Sequence, residues 1–195
     1  LNISLISPVA GKILNRDKII ELNSSISDDC SQQINDATVN WYNSSWNLLA
    51  TGINTTWHVP TKYKLGLETI YSNVSRNYYD PNSNSTTVYI YGWSEIDSIS
   101  PSNASNYAAG TPITITCHVR DANTSKPIEN YTVNFLKNGI SIGNKTTDSD
   151  GYASITWYTT AEGAGWYNIT CLIKSNSTFY YNTSVSQKET WIRLS

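Results

Sequence analysis

The chain has 195 residues and a formal net charge of −2, with 14% charged residues against roughly 25% in an average soluble protein. Asn, Ser and Thr together make 70 residues, aromatics reach 12%, and Met is absent. The near-neutral charge gives no electrostatic reason to bind nucleic acid or an acidic membrane, the aromatic and β-branched content excludes a disordered chain, and no apolar run approaches the 18 or more residues of a membrane span.

Taken in chain order, the first segment alternates Leu1, Ile3 and Leu5 with Asn2 and Ser4, as a strand lining one face of a sheet does. Residues 6–28 then align without a gap to residues 99–121 at an offset of 93: Ile6-Ser7-Pro8 against Ile99-Ser100-Pro101, and Ile20, Leu22 and Ile26 against Ile113, Ile115 and Val119. INDATVNW (34–41) answers IENYTVNF (128–135), and Thr56-Trp57 answers Thr156-Trp157, each followed by a glycine, Gly66 or Gly165. The offset drifts between blocks as loop insertions would make it. The chain therefore reads as two homologous units, residues 1–93 and 94–195, joined near Gly92–Ser98.

Period-two alternation continues through Ile113/Ile115/Cys117/Val119, Tyr131/Val133/Phe135, Ala153/Ile155/Trp157 and Tyr167/Ile169/Cys171. Asn138-Gly139 between two such runs has the chemistry of a two-residue type I′ hairpin turn, and Asp148-Ser149-Asp150-Gly151 marks another turn. No stretch shows a helical period with caps. About seven short strands per unit predict an all-β protein of two tandem immunoglobulin-like β-sandwich domains.

In the second unit, a strand ending V-x-D, a Pro-Ile before an x-V-x-F strand, then T-D-x-x-G-x-A and G-x-Y-x-I follow one another. This pattern resembles the bacterial-type Ig-like (Big) domains of prokaryotic surface proteins, over residues 99–193 and more weakly over 6–93. The resemblance places Cys117 on strand B and Cys171 on strand F, where a bridge across the sandwich is the expected pairing. The first unit has Ser24 and approximately Ser72 at those places and no such bridge. Cys30 is left over, and an odd cysteine in a secreted protein implies an intermolecular bond or a free, partly shielded thiol.

Thirteen of the 22 asparagines begin N-glycosylation sequons: Asn2, Asn23, Asn43, Asn54, Asn73, Asn84, Asn103, Asn123, Asn130, Asn144, Asn168, Asn176 and Asn182. Chance would give roughly five, and sequons mark surface positions of secreted proteins. Covalent N-glycans are thus expected over most of the surface, with no other cofactor. They would supply the solubility that charged side chains normally supply.

No catalytic or metal-ligating residue is assigned. His58 and His118 flank Trp57 and Cys117 and are expected to be solvated strand histidines. Asp148-Ser149-Asp150-Gly151 resembles the start of a calcium loop without its bidentate Glu, and Asp28-Asp29 with Asp36 forms a second acidic cluster, about as weak a signal. Trp41, Trp57 and Trp157 are in phase with core residues, and Trp93 sits at the junction. Trp166 falls out of phase with Tyr167, Ile169 and Cys171, Trp46 lies in a loop, and both are candidates for stacking on sugars.

These features predict a non-catalytic structural glycoprotein of the cell surface, without a transmembrane segment. On a prokaryotic cell surface it is a subunit of an extracellular filament or else a surface stalk, and more loosely it resembles glycosylated pilus or thread subunits of archaea. Residues 1–7 either belong to their own sandwich or donate a strand to a preceding copy; in the second case Leu1, Ile3 and Leu5, with Cys30, mark the subunit joint. The expected partners are copies of the chain in a head-to-tail polymer or other surface proteins. The alternative is an adhesin or carbohydrate-binding module using Trp46, Trp166 and nearby Tyr residues, and a spacer from a larger surface enzyme is a third reading.

Overall fold

A computed structural model describes residues 1–195. It contains sixteen strands and no helix, in two compact units, Leu1–Tyr91 and Gly92–Ser195.

Unit 1 is built from β1 (Asn2–Ser7), β2 (Ile13–Asn15), β3 (Ile19–Ser27), β4 (Thr38–Tyr42), β5 (Leu48–Thr51), β6 (Asn54–His58), β7 (Gly66–Ser75) and the part of β8 (Asn82–Ser100) up to Tyr91. One sheet has the order β1-β3-β6. The other runs β5-β4-β7-β8, with β2 parallel to β8. Unit 2 contains β8 from Gly92 onward, then β9 (Ser105–Tyr107), β10 (Pro112–Asp121), β11 (Thr132–Lys137), β12 (Ile140–Thr146), β13 (Tyr152–Tyr158), β14 (Gly165–Leu172), β15 (Tyr181–Val185) and β16 (Gln187–Leu194). Its sheets run β13-β10-β8 and β12-β11-β14-β16-β9. The units therefore repeat strand for strand. Strand β15, parallel to β8, is an addition of unit 2 and accounts for part of the drift in the repeat.

The inner faces are buried at every second residue and mostly apolar there, the pattern of a strand with one side in a core. In β10, Ile113, Ile115, Cys117 and Val119 are buried while Pro112 and Thr114 are exposed. Around them pack Phe135, Ile169, Cys171 and Ile192. In unit 1, Leu22, Ile26, Val39, Trp41, Ile70, Val74, Val88 and Ile90 do the same. Cys117 and Cys171 form the disulfide of unit 2, with Cα atoms 6.6 Å apart. Ser24 and Ser72, at the matching places of unit 1, are buried, and their hydroxyls donate to the carbonyls of Ile53 and Asn84 at 3.2 and 3.3 Å. Trp41, the repeat partner of Phe135, fills that core with a larger ring, and its Nε1–H donates to the Gly52 carbonyl at 2.8 Å.

The hairpin β11–β12 closes on Asn138 and Gly139, both at positive φ (48° and 81°), the left-handed pair that a type I′ turn requires. Gly151, at φ +79°, ends the turn that starts at Asp148. A Cβ there would lie 2.6 Å from the Val119 carbonyl and 2.9 Å from the Pro127 Cβ. Gly151→Ala thus combines a strained backbone with a clash against main chain, and is expected to lower the stability of unit 2 by about 2 kcal/mol. A thermal melt showing no change would contradict this.

Candidate functional site

The residues assigned to a subunit joint lie in two places in unit 1. Strand β1 pairs antiparallel with β3 in its own unit, from Asn2↔Ser27 to Ser7↔Asn23. Ile3 is buried in the unit 1 core, with Leu1 and Leu5 packed against that core. On the opposite side, Asn82 and Asn84 donate from Nδ2 to the carbonyls of Leu1 and Ile3 at 2.7 and 2.9 Å. This departs from the donor-strand expectation, because the strand is already taken up by its own sheet. Residues 95–100 of β8 hold the equivalent place against β10 in unit 2. Cys30 is an unpaired, exposed cysteine in the loop after β3, so the shielding that a free thiol implied in the sequence is not present. The Asp28 carboxylate beside it accepts bonds from the backbone N–H of Cys30 and Gln32. Asp36 instead pairs with Arg76 at 2.9 Å, so the Asp28-Asp29-Asp36 grouping does not form one cluster.

Of the thirteen sequon asparagines, Asn2, Asn54, Asn84, Asn103, Asn130 and Asn144 are exposed. Asn23, Asn73, Asn123, Asn168, Asn176 and Asn182 are half-buried. Asn43 is the exception and a correction: it is 7% exposed, and its Nδ2, the atom a glycan would occupy, donates to the Tyr63 hydroxyl at 3.0 Å. Its Oδ1 accepts from the backbone N–H of Ser45 and Asn47. Asn43 is thus the side chain that folds the β4–β5 turn. Burial beneath Tyr63 leaves a sugar no open path to its Nδ2.

That turn is anchored by a group the sequence did not single out. Glu68, on β7, is buried, and its Oε1 accepts from the backbone N–H of Ser44 and Thr69. Its Oε2 accepts from the Tyr63 hydroxyl at 3.0 Å and lies 3.4 Å from Lys64 Nζ. Burial pushes the Glu68 carboxyl up, but the Ser44 and Tyr63 hydrogen bonds and the Lys64 charge outweigh it and hold the group below its ordinary value. Burial, with the Glu68 charge and hydrogen bond, pushes the Tyr63 phenol up to about 12 against the lowering bond from Asn43. The depressed glutamate stabilises unit 1 above its unfolded pKa, and that contribution is lost as pH falls through the folded value. The raised tyrosine contributes fully below the ordinary tyrosine pKa, and that contribution is lost as pH rises through about 12. Tyr63→Phe should therefore flatten the alkaline loss of stability measured by hydrogen exchange in unit 1; an alkaline limb as steep as in the parent would refute the assignment.

In unit 2, His118 is not solvated. Its Nδ1 lies 2.6 Å from Asp97 Oδ1, its ring packs 4.6 Å from that of Tyr152, and only 16% of its side chain is exposed. Arg120 completes the group, bonded to Glu95 Oε1 at 2.7 Å and 3.2 Å from Asp97 Oδ2. His58 remains largely exposed, 3.2 Å from Asp17. Lys137 pairs with Glu162 and lies 5.9 Å from the ring centres of both Trp157 and Tyr167. Asp148 Oδ1 accepts from the backbone N–H of Asp150 and Tyr152, closing a turn. These clusters are ladders of ion pairs and turn bonds in which each named carboxylate is matched to a fixed donor.

Trp41, Trp57 and Trp157 are buried, as their phase implied, and Trp93 is half-buried. Two groups of exposed rings lie on outer sheet faces. In unit 1, Trp46, at φ +61° and 59% exposed, stacks on Tyr71 at 4.7 Å and tilts against Tyr42 at 5.8 Å. In unit 2, Trp166 and Trp191 are 51% and 45% exposed. Trp191 escaped the sequence reading, although its alternation with the core residues Ile192 and Leu194 carried the signal.

Residues 95–171 match the family model of a bacterial Ig domain. No curated protein sequence matches the chain. Among solved structures, the chain is similar to the insect immune protein hemolin, at 12% identity over 98% of this chain and 46% of that one, with a TM-score of 0.53. It is also similar to the Ig1–Ig2 region of DIP-gamma (11% identity, 100% and 97% covered, TM-score 0.48) and to the D00–D0 region of intimin (13%, 100% and 100%, 0.40). With the sheet orders above, the likeness to hemolin establishes the fold class: two tandem Ig-like β-sandwiches.

Proposed function

We propose that the chain is a non-catalytic, N-glycosylated segment of an extracellular surface protein, in which two Ig-like units serve as a stalk or spacer. The observation that supports this most is the placement of the sequons. Twelve of thirteen asparagines reach the surface, and they are shared between both units and their various strands and loops. Sugars so distributed would provide the hydration that 14% charged residues do not, and would shield the exposed sheet edges from lateral pairing. The Cys117–Cys171 bridge ties the two sheets of unit 2 together, which suits a part that bears load outside the cell. The match of residues 95–171 to a bacterial Ig domain is consistent with a prokaryotic surface.

A filament of copies is the finer alternative, and the exposed thiol of Cys30 is the feature that favours it. Strand donation through Leu1–Leu5 would require β1 to leave its ladder with β3. An adhesin that stacks external sugars is favoured by the open rings of Trp46 and Trp166. Electron microscopy of native material, with denaturing gels run with and without reductant, separates the stalk from the filament. The stalk reading expects separate particles and a monomer band unchanged by reductant. Fibres, or ladders that reductant collapses, would overturn it in favour of the filament.

A further inference from the structure

We propose that the N-glycan of Asn168 is held against the outer face of unit 2 by Trp166 and Trp191, so that this aromatic pair is a built-in saccharide site occupied by the chain's own sugar. The inference rests on the glycoprotein reading above and adds to it a specific attachment point and a specific surface.

The register carries it. Asn168 is on β14, two residues after Trp166, and successive alternate residues of a strand share one face. Across the antiparallel ladder, Asn168 stands directly opposite Trp191, and Trp166 opposite Arg193. Directly opposed Cβ atoms are about 5 Å apart. A sugar joined to Asn168 Nδ2 therefore begins between two exposed indoles. The faces of a pyranose ring present C–H groups, whose positive edges suit the negative face of an indole. Covering these rings also removes apolar area from water.

The amide is oriented before any sugar is attached. Asn168 Oδ1 accepts from Thr170 Oγ1 at 2.8 Å, and Nδ2 donates to Glu189 Oε2 at 3.0 Å. Glycosylation by the secreting host's transferase takes the sugar from a glycosyl phosphate donor: the bond from the anomeric carbon to the phosphate oxygen breaks, the phosphate leaves with its electron pair, and the anomeric carbon bonds to Nδ2, which gives up one of its two hydrogens as a proton to the transferase and keeps the other for Glu189. Arg193 lies 6.0 Å from the centre of the Trp166 ring and restricts that indole.

The relation recurs in unit 1. Asn73 follows Tyr71 by two residues on β7, Tyr42 stands opposite Tyr71, and Trp46 stacks on it beside a groove of about 530 Å³ that Asn73 also lines. Counting from Gly66 and Gly165, the repeat partner of Asn73 is Leu172, so duplication did not copy one arrangement from the other.

The test uses the full chain, secreted from a host that adds N-glycans. Glycopeptide mass spectrometry establishes occupancy at every sequon. Thermal melts of unit 2 are then compared for the parent, Asn168→Gln, the double variant Trp166→Ala/Trp191→Ala, and all three changes together. The expected result is occupancy of Asn168 and a loss from the tryptophan changes about 3–5 °C larger with the glycan than without it. Asn103, whose Oδ1 accepts from the Trp191 backbone, is the neighbouring sugar source, and Asn103→Gln should leave that coupling intact. Occupied sequons elsewhere with Asn168 bare would overturn this inference alone, as would additive losses. A wholly unglycosylated product would overturn the glycoprotein reading as well. Stronger binding of soluble oligosaccharides by Asn168→Gln, lost with the two tryptophans but unaccompanied by coupling, would assign the surface to an external sugar instead.

Discussion

Replacing Cys117 and Cys171 together by alanine is expected to lower the stability of unit 2 by about 4 kcal/mol and its melting temperature by roughly 15–30 °C. The bridge joins residues separated by 54 positions, and closing a loop of that length removes much of the freedom of the unfolded chain. Both cysteines are fully buried between Ile115, Phe135 and Ile169, so the alanines also leave part of the core unfilled. Burial has a second consequence. Reductant added to the folded parent should leave unit 2 unchanged until it unfolds, because thiol exchange needs access to a sulfur. Unit 1 has no bridge and should melt as before in both cases. A melt of the double variant indistinguishable from the parent would show that the disulfide contributes nothing to unit 2.

The matching test in unit 1 is Trp41→Ala, with an expected loss of about 3–5 kcal/mol. Trp41 is wholly buried among Leu22, Val39 and Ile70 and occupies the place that Phe135 holds in unit 2. Its removal leaves a cavity and deprives the Gly52 carbonyl of its indole donor. Whole domains are stable by only about 5–15 kcal/mol. Unit 1 of the variant should therefore exchange its amides readily at room temperature, while the amides of unit 2 stay protected. Trp41→Phe, which keeps a ring but loses the hydrogen bond, should fall between the two. Slow exchange throughout unit 1 of the alanine variant would mean that its core is held by something other than this ring.

The two-unit repeat was legible because a core face leaves a period-two trace in each strand, as in Ile113, Ile115, Cys117 and Val119, and because left-handed turns demand residues such as Asn138-Gly139. What the sequence could not supply was which outward side chains meet. His118 does point away from the core, yet Asp97 and Tyr152 come from neighbouring strands and cover it. Asn43 has the same sequon as its exposed counterparts. Its burial depends on Tyr63, twenty residues onward, and on Glu68 beyond it. The alternation of Leu1, Ile3 and Leu5 announces a strand but not the sheet that takes it, and β3 of the same unit does so here. Periodicity is local, whereas each of these outcomes depends on pairing between distant strands.

A site-resolved map of glycans on the native protein should find sugar on a majority of the surface sequons in both units, including Asn168, and a bare Asn43. An unmodified chain, or a glycan on the buried Asn43, would contradict this.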